Sequence, residues 1–173
     1  QKLSCSITVP YGVSTVTGGK FESDMHNSDS SNTTSWIYND SVAFNEFSFF
    51  AGDYRRTDDW FKFGNDSTLL SCYLFAEDAD HSVELLQQEK SYLSFLIQQH
   101  DFKFLKNGVR TAECLVPYSS SIGLIGYGNY FEQNNFGVDE SLLFSLALQA
   151  FANNNYYQSS EHRWMKYALP QYD

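Results

Sequence analysis

Residues Asp101 to Val116, DFKFLKNGVRTAECLV, set the expected frame of the molecule. Asn107-Gly108 supplies two residues that tolerate φ > 0, and the flanking runs alternate apolar and polar side chains, the pattern of a tight antiparallel hairpin. Phe102 and Phe104 share one face of the first arm, and Val109, Ala112 or Cys114, and Val116 line the second. A slip of one residue would turn both rings to water, so the register is specified. The stretch predicts a twisted antiparallel sheet.

Upstream of it, the spacing of Val83, Leu86, Leu93, Leu96 and Ile97 predicts a helix over 82–99, with Glu84, Gln87, Gln88 and Lys90 off the apolar stripe and a strand over 91–98 as the alternative. Glu77-Asp-Ala-Asp-His81 precedes that helix. Its acids suit a helix N-terminus, and as a metal site it lacks the Gly and distal Glu of a calcium loop. Thr68 to Ala76 is an unbroken apolar run around Cys72, expected as a central strand. Downstream, Pro117 to Ser121 reads as a break, and Ile122 to Phe131 as a Gly-spaced strand without GxGxxG. A second helix is expected over 139–152, capped by Asp139.

Nearer the start, Leu3, Cys5, Ile7 and Val9 alternate with hydroxyls as a half-buried strand, ended by Pro10. Tyr11 to Thr17 is a second β run, and Gly18-Gly19 reads as a two-residue hairpin into Lys20-Phe21. Residues 22–35, almost wholly Ser, Asn, Asp and Thr, read as a hydrated loop carrying His26 beside Asp24 and Asp29. Residues 36–63 hold ten aromatic rings. Val42, Phe44, Phe47 and Phe49 keep period two only across an irregularity at Asn45-Glu46. Gly52 to Asp59 reads as a charged turn in which Arg55 and Arg56 pair with Asp53, Asp58 and Asp59. The fold class is therefore α+β: one domain over 1–173, mainly antiparallel sheet, sandwich or barrel-like, with helices at about 82–99 and 139–152.

A formal charge of −10 and a pI near 4.7 repel phosphate backbones and anionic membranes, so nucleic acid is not expected as a partner. No run of 18 apolar residues could span a bilayer. A chain opening at Gln1, with sequons at Asn32, Asn39 and Asn65, fits a processed, secreted glycoprotein. Cys5, Cys72 and Cys114 then suggest one disulfide and one further thiol, with three buried reduced cysteines as the alternative. Spacing does not choose among the three pairs.

No GxSxG, HExxH, CxxC or Walker loop occurs, and the four histidines have no fixed spacing. A Cys114 nucleophile with His100 or His162 is the enzymatic alternative to a non-enzymatic chain; no metal or required cofactor is expected. Core packing accounts for most rings. Those in excess, Trp36, Phe44, Phe47, Phe49, Trp60 and Phe63, form the expected ligand-binding set for an extended apolar molecule or a subunit interface. In length the chain compares with a lipocalin, but no Trp precedes Trp36 to give the Gly-x-Trp of that family. With its QKLSC start, low pI, loop sequons and many rings, the chain resembles the carotenoid-carrying perivitellin subunits of apple-snail egg fluid. That resemblance implies an oligomeric egg storage protein holding a carotenoid, with homologous subunits and N-linked glycans as partners. The other reading is a carbohydrate-binding or defensive secreted module stacking Trp36, Trp60 or Trp164 on sugars.

Overall fold

The computed structural model describes residues 3–38, 47–99, 108–114, 119–121, 124–128 and Leu146. Within them lie strands β1 (Leu3–Pro10), β2 (Ser14–Thr17), β3 (Lys20–His26), β4 (Ser31–Tyr38), β5 (Phe49–Gly52), β6 (Tyr54–Phe63) and β7 (Asp66–Phe75). Helix α1 (Ser82–Gln99) follows a short 3-10 turn, and then come β8 (Val109–Cys114), β9 (Ser119–Ser121) and β10 (Leu124–Gly128).

β1, β4 and β3 form an antiparallel sheet with β4 central. Leu3, Cys5, Ile7 and Val9 are its half-buried face, as their alternation requires. The expected loop over 22–35 is instead most of the β3–β4 hairpin. Side-chain hydroxyls stabilise the sheet that apolar periodicity does not announce: Ser6 Oγ meets Ser35 Oγ at 3.0 Å, and Thr8 Oγ1 meets Thr33 Oγ1 at 2.9 Å. The turn is short. Ser30 takes φ +62°, and the Asn27 N–H donates to Ser31 O at 2.8 Å.

Gly18-Gly19 is a corner and not a hairpin. β2 pairs with β5, whereas β3 pairs with β4, so the chain changes sheets there. A Cβ on Gly19 would stand 2.8 Å from the Tyr38 ring and 3.2 Å from Ile37 O, so a side chain there would have to displace that ring.

The larger sheet is mixed, in the order β6-β7-β8-β10-β9. Here the hairpin expectation at Asn107-Gly108 is corrected. β8 runs parallel to both β7 and β10, which take its two edges, while the proposed first arm lies outside the described residues. All six β8 residues are buried. A strand covered on both faces belongs in the parallel centre of a sheet; Arg110, Thr111 and Glu113 imitate a solvated face because their polar groups are satisfied inside. The charged turn over 52–59 is likewise corrected, being largely β6, a ten-residue strand antiparallel to β7. Gly64-Asn65, with Gly64 at φ +55°, closes that hairpin. Ser119–Ser121, expected within a break, pairs with β10.

α1 has the bounds its periodicity predicts, although Val83 is 57 % exposed and the buried stripe runs through Leu85, Leu86, Glu89, Leu93 and Leu96. These leucines pack with Leu70, Cys72 and Leu74 of β7, Val109, Ile125 and the helical residue Leu146. On the sheet's other face Val16, Trp36, Tyr54, Tyr73, Ala112 and Leu124 form a second core beneath the N-terminal strands. The class is thus α+β with β dominant. The rest of the expected helix over 139–152 and the irregularity at Asn45-Glu46 lie outside the described residues.

Candidate functional site

The six rings expected to bind a ligand do not form one described surface. Trp36 is 1 % exposed and belongs to the second core, with the Phe21 ring edge-on at 5.5 Å. Phe47 and Phe49 lie 6.3 Å apart, and Phe47 meets Tyr38 at 5.9 Å. Trp60 and Phe63, both exposed, alternate to opposite faces of β6. Phe44 lies outside the described residues. Strand periodicity identifies rings but not which layer will cover them.

Cys5, Cys72 and Cys114 form no disulfide with one another, a correction to the expected pair. Cys72 faces α1, whereas Cys5 packs against the second core across the sheet, and β8 sets Val109 and Ala112 on opposite faces, which turns Cys114 away from Cys72. Burial pushes the Cys72 thiol well above its ordinary range, with Glu89 and Glu113 adding to the rise. His100 and His162 lie outside the described residues. His26 is an exposed strand residue whose Nδ1 meets Asn32 Oδ1 at 2.9 Å. His81 lies 3.8 Å from Glu84, one helical turn ahead. Among the described residues no three His, Cys, Asp or Glu side chains gather as metal ligands, and no helix is long and apolar enough to cross a membrane.

The sequons differ sharply. Asn65 sits at the exposed tip of the β6–β7 hairpin, while Asn32 is half-buried in the central strand β4 and bonded to His26, with Thr34 buried two residues on. Asn39 lies outside the described residues. On expression through a secretory pathway, Asn65→Gln is expected to remove one glycan mass and Asn32→Gln none, as intact mass spectrometry would read; glycan on Asn32 alone would contradict this placement.

The chemistry concentrated in the fold lies between α1 and the larger sheet, and it was missed in the sequence. Glu89 is fully buried within the leucine stripe. The Thr111 hydroxyl donates to its Oε1, and its Oε2 has no hydrogen-bond partner among the described residues. Burial raises its carboxyl to about 7, against the partial opposition of Thr111. The signal was spacing: Glu89 falls three residues after Leu86 and four before Leu93, on the apolar stripe. Glu113 is also pushed up to about 7, first by burial and then by Asp78, while the Phe75 N–H donates to its Oε2 at 2.9 Å and works against the rise. The Tyr54 hydroxyl donates to Glu113 O at 2.7 Å, and burial raises it too. Opposite, buried Arg110 donates to Gly18 O at 3.4 Å and lies over Trp36 at 5.8 Å, tying the sheet to the N-terminal corner. Carboxyls poised near neutrality could exchange protons, but Glu89 has no exposed surface with which to touch a substrate.

No family model matches the chain, and no curated relative does. Its fold does recur in solved structures. An M1 zinc metallopeptidase from Deinococcus radiodurans matches 86 % of this chain at TM-score 0.66 and 14 % identity. Legionella pneumophila aminopeptidase A, in complex with aspartic acid, matches 87 % at TM-score 0.69 and 11 % identity. The chain spans 33 % of the first and 19 % of the second. At such identity the likeness is one of fold alone, an arrangement shared with part of each of these two peptidase chains.

Proposed function

We propose that this chain is a binding domain built on an aminopeptidase-type fold and is not itself a zinc peptidase. One observation carries the reading. The chain shares the fold of about a third of a zinc metallopeptidase chain, and its own sequence has no H-E-x-x-H, the motif in which two histidines a helical turn apart hold zinc around a general base. Neither do His26, His81, His100 and His162 include any pair four residues apart. A scaffold of this kind without the ligand pair retains surfaces and cores, and those suit association. The test is zinc content together with hydrolysis of a panel of aminoacyl fluorogenic amides. Neither stoichiometric zinc nor hydrolysis above buffer is expected; one zinc per chain with chelator-sensitive cleavage would overturn the proposal.

The setting we infer is extracellular, supported by the acidic surface and the exposed sequon at Asn65. A storage or carrier role with a carotenoid or other apolar ligand draws its support from Phe47, Phe49 and Trp60 and none from Trp36. Carbohydrate stacking, in turn, has support in Trp60 alone among the described tryptophans, since Trp36 is core.

A further inference from the structure

We infer that the outer edge of β6 pairs with a second copy of this chain, antiparallel about a two-fold axis through Thr57. β6 is the edge strand of the larger sheet, and among the described residues β7 alone pairs with it. Its first half carries the run Arg55-Arg56-Thr57-Asp58-Asp59. Laid antiparallel on itself with Thr57 opposite Thr57, this run sets Arg55 against Asp59 and Arg56 against Asp58, each twice, with one pair type on each face. Parallel in-register pairing would set Arg on Arg and Asp on Asp. A slip of one residue would keep only one pair type. Charged side chains ordinarily discourage edge pairing; here they favour one partner in one register.

The backbone is in phase with this arrangement. The two-residue turn Gly64-Asn65 closes Phe63 on Asp66, so odd-numbered β6 residues bond to β7. The Trp60 N–H donates to Asp59 Oδ1 at 2.7 Å and not to β7, which places even-numbered residues outward. Thr57 therefore takes a non-hydrogen-bonded position on the axis, and Arg56 and Asp58 turn their N–H and C=O groups toward each other across it. The side chains are accessible, with Arg55 60 % and Asp59 49 % exposed. Their present ion pairs are local, Arg55 with Asp53 at 2.9 Å, Arg56 with Asp58 at 2.8 Å and Lys90 with Asp59, and Arg56 also lies over the Phe21 and Tyr73 rings at 5.7 Å. Exposed pairs of this kind exchange partners at little cost. Trp60, 56 % exposed, comes opposite Tyr54 of the second copy.

The inference is independent of whether the domain cleaves peptides, and zinc or activity would leave it standing. Sedimentation velocity over a concentration series tests it. The wild-type chain is expected to dimerise. Arg55→Asp with Arg56→Asp, or Asp58→Arg with Asp59→Arg, sets like charges opposite one another and should weaken association at least about tenfold. An equimolar mixture of the two variants should recover a one-to-one heterodimer, and the variant carrying all four exchanges should recover the homodimer. A monomeric wild type, or a mixture that stays monomeric, overturns the proposal. Thr57→Cys provides a second readout that leaves every charge in place: mild oxidation should yield a peptide linked through residue 57 of two chains. Its absence overturns the proposal whatever the charge variants do.

Discussion

Between pH about 4.5 and about 7 the protein is expected to lose about 3 kcal/mol of stability through Glu89, and Glu89→Gln to abolish that loss. The carboxyl's ordinary value is 4.5, and in the folded chain burial raises it to about 7. Across that window the folded state holds a proton that the unfolded state has released, so stability falls as pH rises. The contribution is complete below the unfolded value and gone above the folded one. Glu113, raised in the same direction, adds to the slope in both proteins, whereas Asp29 and Asp59, whose carboxyls are lowered by hydrogen bonds, act at lower pH and with the opposite sign. The variant isolates Glu89 because the amide stays neutral and still meets the Thr111 hydroxyl. Urea unfolding of both proteins at pH about 5 and about 7.5 is the measurement. The variant should gain on the wild type as pH rises; a difference that stays flat would show that Glu89 does not occupy a dry site.

What the sequence disclosed depended on whether burial followed side-chain polarity. α1 was legible to the residue because leucines recur at helical spacing between Ser82 and Gln99. β1 and β7 were legible because their apolar faces alternate or run unbroken. β3 was not, since all seven of its residues are exposed and no apolar face alternates along it. Nor was β6, whose Arg and Asp residues look like a turn until β7 is seen beside it. The centre of the larger sheet misled most. Arg110, Thr111 and Glu113 suggested a wet face, yet each has its polar atoms satisfied inside, by Gly18, Glu89 and Phe75 respectively. A period-two pattern reports which side chains differ, not which of them meets water, and satisfied buried polar groups break the correspondence. Glu89 went unread for a related reason: its position between Leu86 and Leu93 puts a carboxyl on the apolar stripe, where only Thr111 meets one of its oxygens.

Gly108, whose place after Asn107 in the sequence suggested a hairpin, serves a different end, and substitution there should expose it. Gly108 has φ +80°, and a Cβ on it would lie 2.6 Å from the carbonyl oxygen of Leu69, backbone of the neighbouring strand. Gly108→Ala therefore meets two costs. A left-handed backbone costs an L-residue about 1–2 kcal/mol. The clash is with main chain and cannot be relieved by a rotamer, so β7 and β8 must separate where Leu70 pairs with Val109, both fully buried. The total expected is about 2–4 kcal/mol, in the range reserved for strain within a core. Gly12→Ala separates the two costs: Gly12 has φ +84° with nothing within 4 Å of its would-be Cβ, so it meets only the first. Thermal or urea unfolding of both variants would read the difference. A clear excess for Gly108→Ala would mean that glycine is required by the approach of two parallel strands. Equal losses would mean that the turn conformation alone requires it, and that β8 enters the sheet with room to spare.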